Sequence, residues 1–222
     1  KIRAAAKLAQ HWGWDQTAIF TIAVAKEWND LELRFPLAYR NEIFTQAKVH
    51  QIDPAIIYGL VRRESAFDAQ AHSPVGARGL MQIMPATGKQ IARNLNEKWK
   101  SPTVLYQPEV SLRYGSAYFK GLLERFDNNF MMAAAGYNAG PHRVEQWRPK
   151  RKSINADVWA ETIPFTETRK YVKAVLEYSS IYRKRLDTKQ IRISDLVFKV
   201  PPASDEEITL NGNKPIVVAE CS

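Results

Sequence analysis

Apolar residues recur at helical spacing along most of the chain, and Gly, Pro and polar clusters fall where one such stretch gives way to the next. Ile57, Leu60 and Val61 share an i, i+3, i+4 face, and Glu64 continues that stripe three residues beyond Val61. Asp53 and Pro54 ahead of the run are a capping residue and a first-turn proline, so a helix is predicted from there. Upstream, residues 2–44 read as helical, with Ala-rich stretches and Trp12, Trp14, Phe20 and Trp28 among polar positions. Asp15 is the expected cap of a helix carrying Ile19, Ile22, Ala23 and Lys26, and Pro36 marks a helix start or a corner.

Downstream, Pro74, Gly76 and Gly79 predict a tight loop in AHSPVGARGLMQIMP, and Pro85 opens the next helix. A stretch through Pro102 and Pro108 leads into a helix over EVSLRYGSAYFKGLLERF. The polar DNN sequence starts another at Phe130–Ala135, broken by Gly136, Gly140 and Pro141. Shorter helices are expected around Val144 and Trp147 and over Ile154–Glu161. The last long one runs from about Glu167 to Leu186, with Tyr171, Val175 and Tyr178 toward the core. Past Thr188 the pattern loosens, predicting an irregular or small hairpin-like tail, of a length that could dock on another subunit or domain. The fold class is therefore all-α.

Composition narrows the function more than the fold. The chain has 32 Lys plus Arg against 23 Asp plus Glu, a net +9 that favours polyanionic partners without choosing among nucleic acid, anionic lipid and acidic polysaccharide. The single cysteine, Cys221, excludes an intrachain disulfide. His11, His50, His72 and His142 are scattered without zinc-ligand spacing, and neither a dinucleotide nor a phosphate-binding glycine motif occurs. No run has transmembrane length, and the basic residues form no evident nucleic-acid recognition helix. The chain opens on Lys1 without an apolar signal core, which reads as a mature form or a fragment.

Glu64 is the first candidate for chemistry. A carboxyl on the apolar stripe of a helix beside Ala66 and Phe67 is partly desolvated, and desolvation suits it to give a proton to a glycosidic oxygen. The bland alternative is a solvated glutamate beside Arg62 and Arg63. An ordinary glycosidase needs a second carboxylate. Asp68 reads better as a helix-end residue, and Glu161 and Glu167 are distant in sequence. Ser73, Gln82, Met81 and Met84 either line a sugar groove or serve loop and core. Tyr137 and Asn138 either stabilise a turn or grip a ligand.

The segments RRESAFDAQAHSPVGARGLMQIMPAT, AAGYNAGPHRVEQW and ETIPFTETRKYVKAVLEY occur in the order and spacing of one family. Over residues 45–187 the chain resembles the C-terminal catalytic part of soluble lytic transglycosylases of the Slt kind. Residues 1–44 resemble the end of the helical superstructure that precedes it, a helical docking segment, and the tail 188–222 adds nothing to the resemblance, its role open. The resemblance implies a lysozyme-like helical domain with Glu64 as the single acid/base. It also implies sugar contacts from Ser73, Gln82, Met84, Tyr137, Asn138 and Glu167. The implied reaction cleaves peptidoglycan glycan strands in the periplasm without water, leaving 1,6-anhydromuramic ends, with no metal or organic cofactor and no nucleic-acid partner. A hydrolytic muramidase of similar fold and a non-catalytic wall-binding domain are the competing expectations.

Overall fold

The computed structural model describes residues 1–188 and 198–203. Among them the secondary structure is helical apart from three isolated antiparallel bridges. The helices are α1 (Ile2–His11), α2 (Asp15–Val24), α3 (Leu31–Arg34), α4 (Arg40–His50), α5 (Pro54–Glu64) and α6 (Pro85–Asn94). A 3₁₀ turn at Pro102–Tyr106 precedes α7 (Pro108–Arg125), α8 (Phe130–Ala139), α9 (Pro141–Gln146), α10 (Ala156–Thr162) and α11 (Thr166–Arg185). No helix among the described residues is long and apolar enough to cross a membrane.

Two compact units divide the chain, residues 1–117 with 178–188, and residues 118–177 with the remaining C-terminal stretch. Residues 1–44 share the first unit with the segment that carries Glu64.

In the first unit, α5 starts as its sequence dictates: Asp53 accepts from the Ala55 amide at 2.8 Å and Pro54 occupies the first turn. Ala55 through Val61 are all buried, so this helix is a core element on every side. Behind it Tyr58 stacks on Tyr182 at 4.7 Å, and Phe35 meets Tyr178 and Tyr182 edge-on. Burial pushes the Tyr58 phenol up to about 12 and that of Tyr182 well above its ordinary value. Arg183, also buried, is held by the Asp53 carboxylate at 2.5 Å, so the capping residue of α5 also anchors α11. Asp15 is not the cap of α2. Trp14 occupies that position, and Asp15 is the first helical residue, its carboxyl pushed up by burial. Pro36 is a corner between α3 and α4. Trp12 and Trp14 form an exposed edge-to-face pair at 5.0 Å.

In the second unit, Asn129 accepts from the Met132 amide and starts α8, whose residues Phe130–Gly136 are buried throughout. The helix does not break at Gly136. It continues to Ala139 and ends at Gly140, where φ is +89°. Gly136 fits mid-helix because a Cβ there would lie only 3.0 Å from the Phe126 ring and 3.2 Å from Leu122. The helix expected at Ile154 begins at Ala156, because the Ile154 backbone pairs with Val200. That bridge starts a strap. Lys199 O accepts from Asn129, Pro201 O and Pro202 O accept from Arg148, and the Ala203 amide donates to Pro149 O. Arg148 also pairs with buried Glu145 at 3.0 Å. Residues 198–203 thus dock on their own chain; the rest of the expected tail lies outside the described residues.

Candidate functional site

Glu64 is the last residue of α5 and is half-buried. After it the chain reverses within three residues. Ser65 donates its amide to Val61 O, and Ala66 and Phe67 take left-handed φ values of +49° and +70°. Neither is a glycine, so each costs of order 1–3 kcal/mol and persists only where its surroundings hold it. Here the surroundings are visible. Ala66 and Phe67 are buried, and the Ser65 hydroxyl donates to Leu80 O at 2.8 Å. Ser65 O accepts from the Asp68 amide and from Gln16 Nε2, each at 3.1 Å. Arg62, two residues before Glu64, donates to Arg34 O at 2.8 Å and lies over the Phe35 and Tyr178 rings. Asp68 accepts from the Gln70 amide at 2.8 Å, which makes it a turn residue.

The Ser65–Leu80 bond ties this turn to the loop that carries Ser73, Gln82 and Met84. Ser73 closes that loop on itself. Its amide donates to Ala77 O at 3.0 Å, its hydroxyl accepts from the Ala77 amide at 2.9 Å, and its carbonyl accepts from the Gly76 amide. Gln82, at φ +46°, turns its side-chain amide inward to Ala71 O and Gly79 O at 3.1 and 2.9 Å. Gly79 is required, because a Cβ there would stand 1.9 Å from Leu105 O. Met81 is fully buried and belongs to the core, whereas Met84 is half-buried in extended backbone ahead of α6. Glu64, Ser73, Gln82 and Met84 are therefore carried by one braced segment, 64–84.

Tyr137, Asn138 and Glu167 lie in the second unit. Tyr137 and Asn138 occupy the last turn of α8. The Tyr137 ring packs on Tyr118 at 5.4 Å and Phe119 at 6.1 Å, and burial raises the Tyr118 phenol. Asn138 Oδ1 accepts from the Thr168 hydroxyl at 2.7 Å, which links the end of α8 to the first turn of α11 beside exposed Glu167. Glu161 is exposed and paired with Lys173. Among the described residues no His, Cys, Asp and Glu group could hold a metal ion. Sequence reasoning missed Gln16, Ser65 and Thr168, whose partners lie 49, 15 and 30 residues away.

Residues 41–160 match the model of the transglycosylase SLT domain. Residues 1–31 match the soluble lytic murein transglycosylase L domain, and 162–190 the soluble lytic transglycosylase helical domain. The chain is 41% identical over 189 residues to a soluble lytic murein transglycosylase of Salmonella typhimurium and 40% identical over 172 residues to one of Escherichia coli. These matches take in 84% and 77% of this chain but 29% and 26% of those proteins. Among solved structures, an inactive Glu→Gln mutant of the lytic transglycosylase Slt from Pseudomonas aeruginosa superposes with a TM-score of 0.81 at 40% identity. It covers 87% of this chain and 32% of that one. The 70 kDa soluble lytic transglycosylase of Escherichia coli gives 0.79 at 36% identity, covering 87% and 31%.

Proposed function

The chain belongs to the transglycosylase SLT domain family, and from that premise we propose that it cleaves peptidoglycan glycan strands non-hydrolytically, with Glu64 as the single acid/base. The observation that carries this reading is the placement of Glu64, half-buried at a helix end whose backbone is fixed by non-glycine left-handed residues and by hydrogen bonds from remote segments. A backbone held at such cost suits a side chain that must be aimed.

Glu64 in its acid form protonates the oxygen bridging N-acetylmuramic acid and N-acetylglucosamine, and the C–O bond breaks. The sugar's own acetamido oxygen stabilises the cation-like carbon, so no second enzyme carboxylate is needed. Glu64, now a carboxylate, takes the proton of the muramoyl 6-hydroxyl, whose oxygen closes on the anomeric carbon. The product is a 1,6-anhydromuramic end. An intramolecular hydroxyl at high effective concentration takes the place of water. On this reading Ser73, Gln82, Met84, Tyr137, Asn138 and Glu167 serve as the sugar contacts that the family resemblance implies. The working compartment is the periplasm, and the +9 charge suits the anionic stem peptides and lactyl groups of the wall polymer.

Mass spectrometry of products from purified peptidoglycan tests the reaction. Anhydro ends are expected; reducing ends from a folded protein would make it a hydrolase, and no cleavage a wall-binding domain. In the same assay Glu64→Gln should cut turnover by at least roughly 10²–10⁴-fold while circular dichroism and glycan binding stay near the parent. Parental turnover in E64Q would remove Glu64 from the chemistry.

A further inference from the structure

The carbonyl that follows Glu64 receives a hydrogen bond from outside the catalytic motifs. Gln16, half-buried in the first turn of α2, donates through Nε2 to Ser65 O at 3.1 Å, across 49 residues of sequence. Ser65 O sits at the end of α5, where the last carbonyls have no intrahelical partner. Its other donor is the Asp68 amide at 3.1 Å, a contact inside the same turn. Gln16 is thus the bond that ties this carbonyl to a different part of the fold. The neighbourhood agrees with a built contact. Asp15, the preceding residue, is half-buried, and burial, with the negative charges of Asp15, Asp68 and Glu42, raises the Tyr39 phenol.

We infer that Gln16 is a positioning residue for the cleavage reaction: by holding Ser65 O it fixes the backbone from which the Glu64 side chain is aimed. The inference rests on the acid/base reading of Glu64. A glutamate that must give a proton to one oxygen and take it from another tolerates little displacement, since both transfers need heavy atoms at hydrogen-bond distance. Ala66 and Phe67, held at +49° and +70°, have lower-energy conformations to relax toward once the restraint is removed. The N-terminal segment is then part of the reaction machinery through one side chain, not only a packing surface.

The test uses the 222-residue chain with purified peptidoglycan. Gln16→Met keeps length and bulk but removes the donor, whereas Gln16→Lys keeps a donor of similar reach. Gln10→Met is the control, because Gln10 makes the same type of bond within the same segment, to Glu32 O at 3.2 Å, away from the turn. Q16M should lower kcat by roughly 5- to 50-fold with KM within about twofold of the parent. Hydrogen exchange in residues 62–68 should rise, Q16K should recover most of the rate, and Q10M should keep the parental kcat. Gln16→Asn, too short to bridge, replaces Q16M if that variant loses its helical spectrum. A parental kcat in Q16M, equal losses in Q16M and Q10M, or a fall confined to KM would each overturn the inference. Parental turnover in E64Q, measured alongside, would overturn the acid/base reading and this inference with it. A dead E64Q beside a fully active Q16M overturns the positioning role alone.

Discussion

Two helix ends carry the candidate chemistry, and they are made differently. The end of α5 presents Glu64 and then turns through Ala66 and Phe67, which have no intrinsic preference for the left-handed conformation. It is stabilised by side chains from residues 16 and 65 and by carbonyls at 34, 65 and 80. The end of α8 presents Tyr137 and Asn138 and stops at Gly140, where the Gly140 amide donates to Gly136 O and Pro141 starts the next helix. Glycine reaches φ +89° without a side-chain penalty, so that turn needs less from the rest of the fold. The candidate acid/base is set where long-range packing controls the backbone, whereas Tyr137 and Asn138 precede a turn that its own glycine can make.

Gly79→Ala should break the first arrangement. The loop that Leu80 ties to Ser65 passes so close to Leu105 O that a Cβ would stand 1.9 Å from it, with the Ser111 hydroxyl at 2.9 Å and φ at +75°. Overpacking and backbone strain together should cost roughly 2–6 kcal/mol, read as a lower urea midpoint. Activity should fall with stability, since residues 64–84 form one braced segment. A midpoint within experimental error of the parent would mean that this loop yields easily and does not hold the turn.

Gly140→Ala sharpens the contrast. Nothing lies within 4 Å of its would-be Cβ, so only the backbone conformation, φ +89° and ψ 142°, penalises the change. The expected loss is about 1–3 kcal/mol. Equal destabilisation by G79A and G140A would erase the distinction between a turn held by the fold and a turn held by its own glycine.

The same distinction explains what could be read from sequence. Helix starts that rest on adjacent residues were legible: Asp53 with Pro54, Pro85, and Asn129 before Phe130. The stripe that made Glu64 a candidate is also local. Three misreadings were set by packing that adjacent residues do not reveal. Gly136 looked like a breaker, but Phe126 and Leu122 occupy the space where its Cβ would go. Ile154 reads as helical but is taken by Val200, 46 residues on. Asp15 reads as a cap but is the first helical residue of α2, behind Trp14 at the cap position, and is half-buried. Ser73, Gln82, Met84, Tyr137, Asn138 and Glu167 entered through family resemblance, because polarity and spacing alone did not separate ligand contact from loop duty. The structure gives Gln82 and Ser73 loop duty in full view. Gln16 carried no signal at all, since a glutamine at a helix start is ordinary.

Ser73→Ala has the smallest expected effect and probes whether loop duty and sugar contact coexist in one residue. The Ser73 hydroxyl oxygen accepts from the Ala77 amide at 2.9 Å, which leaves its own proton to donate elsewhere. Its backbone meanwhile holds the loop through the Ser73 amide to Ala77 O and the Gly76 amide to Ser73 O, and both bonds survive the substitution. Stability should therefore drop by only about 0.5–1.5 kcal/mol, the usual worth of one neutral hydrogen bond. If the hydroxyl also meets the sugar, KM for acetylated glycan should rise by a comparable free energy, roughly 2- to 12-fold, while kcat changes less. Urea unfolding and steady-state kinetics on the same preparation separate the two roles. A midpoint shift with an unchanged KM would assign Ser73 to the loop alone, and a KM shift with an unchanged midpoint would show that the Ala77 bond contributes nothing the backbone does not already supply.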